Sequence, residues 1–260
     1  MCFRFLTSDT VSLRADGSDR LFRIHRGLLA MKCKPISVAL ERKEFRESEG
    51  VYTFKEVSEG TVMRFIEWAY TGEYPAVIDD DEPVELGSPE KPAESAKEVS
   101  DDEHNPDTEE AAKRSARTAS QNHPLLTHIR LYIFGHIFLI QKLQNQAFDK
   151  VTACFTDMDR PDTLDKQLAV ISALRIAFLK LPAQDRLLDW LAQYAAYCLG
   201  ELRQQATFHN LLETSSLFGS RLILWLSPAS SPPWRLDHPE PDYPHYVPEP
   251  IPEEAEPGWY

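Results

Sequence analysis

Four cysteines and eight histidines are the groups from which catalytic or metal chemistry would have to be built. His25 lies between Phe22-Arg23-Ile24 and Arg26-Gly27-Leu28-Leu29. A catalytic histidine needs a nucleophile to deprotonate and an acid to orient it. The chain carries no G-x-S-x-G run and no Cys/His signature of a thiol enzyme. His25 is therefore not expected to be catalytic. Cys2, Cys33, Cys154 and Cys198 include no C-x-x-C pair and no histidine at ligand spacing, so they are expected to be free or buried thiols in a reducing compartment. His128 and His136 fall eight residues apart on similar faces of one helix, with no carboxylate or cysteine between them at i+3 or i+4. That pattern suits a half-buried polar position better than a metal site. No cofactor, metal or catalytic residue is expected, and the chain is read as a non-enzyme.

The segments that must position these groups are amphipathic. Val11 and Leu13 alternate with polar neighbours, Asp16-Gly17-Ser18-Asp19 follows, and Leu21-Phe22-Arg23-Ile24 completes a strand–turn–strand unit. Leu28, Leu29 and Met31 lead into a short helix. Pro35 opens the next, with Ile36, Ala39 and Leu40 on its stripe. Residues 50–54 are rich in β-branched and aromatic side chains and predict a strand. Ser58 is placed to N-cap a helix through its hydroxyl. Val62, Phe65, Ile66 and Ala69 form that helix's apolar face, and Gly72 sits near its C-cap. Trp68 is expected to pack or to line an interface.

Order is expected to lapse over residues 77–123. They hold 14 Asp/Glu against 5 Lys/Arg, no aromatic residue and few branched aliphatics. Such a segment buries too little apolar surface to offset about 1–2 kcal/mol of backbone ordering per residue. Phosphorylatable strings (Ser88-Pro89, Ser100 before an acidic run, Thr118 and Ser120) fall inside it. Residues 228–260 carry 10 prolines and 7 acidic against 1 basic residue, and predict a solvated tail able to sample polyproline II. The formal charge of −13 therefore belongs to these two segments, and the remainder is close to neutral. An acidic chain without a basic stripe is not expected to bind nucleic acid directly.

Helices are expected again from Pro124. Leu125, Ile129, Ile133, Ile137 and Ile140 share one face, while Leu131, Phe134 and Phe138 occupy others, so this helix belongs in a core. Its apolar stretch, residues 129–140, is far short of the about 20 residues a bilayer span needs, and no signal-peptide run precedes it. A soluble protein of the cytoplasm or nucleus is expected. Leu143, Ala147, Phe148 and Val151 continue as a second helix. Pro161 and Asp162 open a third, carrying Leu164, Leu168, Ile171 and Phe178. Leu187, Leu191, Tyr194, Cys198 and Leu202 mark a fourth, and residues 208–225 a last.

Several of these pieces, in order, resemble the BTB/POZ domain. Ser8-Asp9-Thr10-Val11 and then Phe22-Arg23-Ile24-His25-Arg26-Gly27-Leu28-Leu29 match its opening, which reads F-x-[VI]-H-x-x-[VL]-L into a helix. Glu44-Phe45-Arg46-Glu47-Ser48 precedes a strand at the right place, and Trp68-Ala69-Tyr70-Thr71-Gly72 ends a helix as in the BTB proteins common in filamentous fungi. Residues 125–147 resemble the closing helix pair, so the resemblance spans about 5–76 and 124–155, near 100 residues. It departs at Cys33, where the family usually has serine, and at residues 77–123, where the connection is usually shorter.

The resemblance implies an α+β fold, a short sheet capped by a helical cluster. It sets the domains at 5–155 (with 77–123 an acidic insertion), 156–227 (a helical extension like those of substrate adaptors) and 228–260 (a Pro-rich acidic tail). It implies a structural signature of Asp9, His25, Leu28, Leu29, Tyr70 and Gly72, with the His25 imidazole bonded to nearby backbone. It also implies a protein-interaction role: an adaptor or oligomeriser, a substrate adaptor for a cullin-type ubiquitin ligase, or a nuclear regulatory scaffold without ubiquitin chemistry. In the cullin version Phe45 fills a pocket and the Glu47 carboxylate pairs with a basic or hydroxyl group. Otherwise Phe45 caps the core and Glu47 is solvated. Partners are expected to be proteins, including a cullin scaffold or a second copy. The family's swapped N-terminal helix has no counterpart in the eight residues before Asp9, which leaves the usual homodimer open.

Overall fold

The computed structural model describes residues 4–41, 50–77, 123–226 and 232–234. After a 3₁₀ turn at Arg4–Thr7, β1 (Thr10–Ala15) and β2 (Leu21–His25) pair antiparallel, from Thr10 opposite His25 to Arg14 opposite Leu21. The alternation expected for β1 places Val11, Leu13 and Ala15 in the core. Gly17 supplies the positive φ, 71°, that the connection requires. α1 (Arg26–Lys32) and α2 (Lys34–Glu41) are separated by Cys33 alone, and Pro35 occupies the first turn of α2, where no partner for its missing N–H is needed. β3 (Val51–Phe54) then lies on the other edge of β1 and runs parallel to it, giving the order β2-β1-β3.

α3 (Glu59–Thr71) follows, and Gly72 ends it in the left-handed region at φ 86°. Ser58 is its N-cap residue, but the hydroxyl does not accept a backbone N–H. It bonds the Thr61 hydroxyl at 2.9 Å instead. The expected disordered insertion lies outside the described residues except for its ends, Val77 and His123. The His123 ring nitrogen accepts from the Leu125 N–H at 3.2 Å and so caps α4 (Pro124–Ile137).

α4 is buried almost all round and packs against α3, α5 (Gln141–Met158) and α6 (Leu164–Lys180). The expected Ile137–Ile140 continuation does not form. The helix stops at Ile137, which is 52% exposed, and the chain turns through Leu139 at φ 54° to bury Ile140 elsewhere. α4 and α5 come close enough that a Cβ on Gly135 would sit 2.9 Å from the backbone nitrogen of Gln144. α7 (Arg186–Tyr197), the short α8 (Leu199–Leu202), α9 (Ala206–Thr214) and α10 (Ser216–Trp225) complete the described elements. The single helix expected over 208–225 is two, because Ser215 leaves the helical region and caps α10 through its hydroxyl.

The fold is thus mixed α+β, with a three-stranded sheet and ten helices among the described residues. One contiguous core runs from Val11 to Leu222, crossing the sequence boundary at 155–156 without a break. Most of the expected tail lies outside the described residues. Residues 232–234 do not project into solvent, however: Pro232 is buried, and the Trp234 ring lies 6.1 and 5.9 Å from the rings of Tyr194 and Tyr197. No helix among the described residues is long and apolar enough to cross a membrane.

Candidate functional site

The signature residues meet at the junction of β2, α1 and the end of α3. The His25 N–H donates to the Tyr70 hydroxyl at 3.1 Å, and the His25 ring nitrogen Nδ1 lies 2.6 Å from the same oxygen. The expected imidazole–backbone bond is therefore replaced by an imidazole–phenol contact across 45 positions of sequence. Phe5 packs edge-on to both rings, with centroids 6.2 and 6.3 Å away. The carbonyl of Asp9 accepts the Arg26 N–H at 2.8 Å, and Ser8 bridges Phe5 O and the Gly27 N–H. Leu28 and Leu29 are buried in the core, and the Gly72 N–H closes α3 onto Trp68 O at 2.8 Å. The Tyr70 phenol and the Phe5 ring around the imidazole make a latch between β2 and the end of α3. Phe45 and Glu47 lie outside the described residues.

A polar belt ties α3 to α4 and α5. The Trp68 indole N–H donates to Gln146 at 2.8 Å, and Gln146 and Lys150 both donate to the Glu73 carboxylate. The Lys150 ammonium also lies over the Tyr74 ring, 4.0 Å from its centre. His128 is buried and meets the Tyr74 hydroxyl at 3.2 Å. Burial, with the nearby charges of Lys150, Arg64 and His123, pulls its pKa down to about 4. His136, a third exposed, is the half-buried polar position expected and lies 3.5 Å from the Asp185 carboxylate. Asp185 is itself buried. It accepts the Tyr132 hydroxyl at 2.8 Å and the Leu187 N–H at 2.9 Å, capping α7 while anchoring α4. Burial, with Asp185 as acceptor and neighbouring charge, pushes the Tyr132 phenol up to about 12. Cys33 and Cys198 are buried free thiols whose pKa values burial raises to about 11 and 12.

A third feature went unseen in the sequence. The β3–α3 connection, α4 and α6 enclose a cleft of about 190 Å³. Val57, Ile133, Phe134 and Ile176 form its apolar walls, and Lys180, ion-paired with Glu56, stands at it. The half-buried Arg130 lines it as well. Burial lowers the pKa of this guanidinium. The available signal was one charged residue inside a helix that is otherwise apolar nearly all round.

No family model, curated protein or solved structure matches the chain.

Proposed function

We propose that this chain is a non-catalytic protein–protein interaction module of the BTB/POZ type, working as an adaptor or oligomeriser. The observation that carries the proposal is the His25–Tyr70 latch. It joins the F-x-I-H-x-x-L-L run to the W-A-Y-T-G helix end, two motifs of the resemblance far apart in sequence. The β2-β1-β3 order supports the same reading, with α1 and α2 lying between β2 and β3, and α4 and α5 following α3, among the described residues. Such a module works by burying apolar surface against a partner, with specificity from polar rims.

Light scattering on the full chain at high concentration is expected to show a dimer or larger assembly if the protein is an oligomeriser. In the cullin-adaptor form, the full chain co-elutes with a cullin N-terminal region at micromolar concentration, and Phe45→Ala with Glu47→Ala abolishes the complex. A nuclear scaffold without ubiquitin chemistry assembles but does not bind the cullin. A strict monomer that also binds no cullin overturns the proposal.

A further inference from the structure

We infer that the cleft between the β3–α3 connection, α4 and α6 binds a small monocarboxylate with an apolar body, an aryl or branched-alkyl acid, its carboxylate held by Arg130. The first ground is a pairing deficit. Four arginines among the described residues are half-buried: Arg14, Arg64, Arg130 and Arg221. Arg14 donates to the Thr53 hydroxyl, Arg64 to the carbonyls of Gly60, Pro75 and Ala76, and Arg221 to Ala183 O with Asp189 beside it. Arg130 has no hydrogen-bond or ion-pair partner among the described residues. Half out of water and without a counter-charge, that guanidinium loses part of its hydration and gains nothing in return. Its planar fork matches a carboxylate bidentately.

The walls set the rest of the ligand. Val57, Ile133, Phe134 and Ile176 give an apolar lining, and a cavity of about 150 Å³ is already large enough for benzene. At about 190 Å³ the cleft holds one ring and a short link to the acid. Two lysines line it as well: Lys180 is paired with Glu56 and Lys55 is exposed to solvent, so the half-buried cation of the lining is Arg130. A neutral ligand would leave the guanidinium donors unpaired. This binding does not depend on the interaction role proposed above.

The test is titration of the full chain with phenylacetate and with phenylacetamide, which has the same shape and no charge, followed by calorimetry and protein-observed NMR. Phenylacetate is expected to bind saturably and about tenfold tighter than the amide, with shifts confined to the cleft. Arg130→Gln is expected to remove that preference, and Ile176→Trp, which fills the cleft, to weaken both ligands. The inference is overturned if acid and amide bind alike, if the acid does not saturate, or if Arg130→Gln keeps the preference. Should a variant fail to fold, the comparison of acid with amide on the unaltered chain still decides.

Discussion

Asp185→Ala removes a single carboxylate on which two halves of the chain converge. In the folded protein its Oδ1 accepts both the Leu187 N–H at 2.9 Å and the Tyr132 hydroxyl at 2.8 Å. Loss of the α7 cap is worth about 1 kcal/mol. The Tyr132 side chain is 1% exposed, so its hydroxyl would be left buried without an acceptor, a further penalty of about 1–3 kcal/mol. The expected destabilisation is therefore about 2–4 kcal/mol. Urea unfolding monitored by circular dichroism would read it as a lowered midpoint at unchanged slope. Asp185→Asn keeps a capping acceptor and should lose less than half as much. Tyr132→Phe should lose about 1 kcal/mol alone. Added to Asp185→Ala it should cost nothing further and recover up to about 1 kcal/mol, because no hydroxyl remains to be orphaned, and the cycle should show a coupling of about 1–2 kcal/mol. An Asp185→Ala variant within about 0.5 kcal/mol of the parent, or strictly additive singles, would refute the reasoning.

Three other outcomes are expected. His128 is held neutral, with a folded pKa of about 4 against about 6.5 when unfolded. The unfolded chain takes up the proton first as pH falls, so stability drops from about pH 6.5 and levels near pH 4, by about 3 kcal/mol in all. Urea midpoints across that range should fall more steeply for the parent than for His128→Gln, and parallel curves would exclude it. Gly135→Ala puts a Cβ against the Gln144 backbone and should destabilise by about 1–3 kcal/mol in thermal melts, whereas the helix-propensity gain alone would stabilise. Trp234→Ala should lower stability by about 1 kcal/mol and expose the Tyr194–Tyr197 face, visible as a shift in near-ultraviolet circular dichroism; an unchanged spectrum and melt would mean the ring is not packed.

The elements set by local signals were legible. The β1 alternation, the turn at Gly17, the Gly72 cap and the 3.6-residue stripes of α3 and α5 each rest on neighbours within one or two turns. The parallel pairing of β3 with β1 was not, because such a ladder has no sequence-local mark. The end of α4 was missed for a different reason: the break at Leu139 carries neither glycine nor proline, and the apolar run continues through it. Ser58 was placed correctly, but its hydroxyl has a nearer competitor in Thr61. Of the site, His25 and Tyr70 were both marked, though not as partners, and the junctional role of Asp185 depends on a tyrosine 53 positions away. Arg130 was hidden by the uniformity of the helix around it.

The all-round burial of α4 has a consequence for chain continuity. Its contacts reach α3 on one side of residues 78–122 and α5 and α6 on the other. If the polypeptide were cut within that stretch, the amino-terminal piece would bare the core faces of β3 and α3. The carboxyl-terminal piece would bare the surface of α4 that covers them. Each piece is thus the other's solvent shield. Two fragments ending at 77 and starting at 123 should be insoluble or molten apart, and should complement each other as a non-covalent pair.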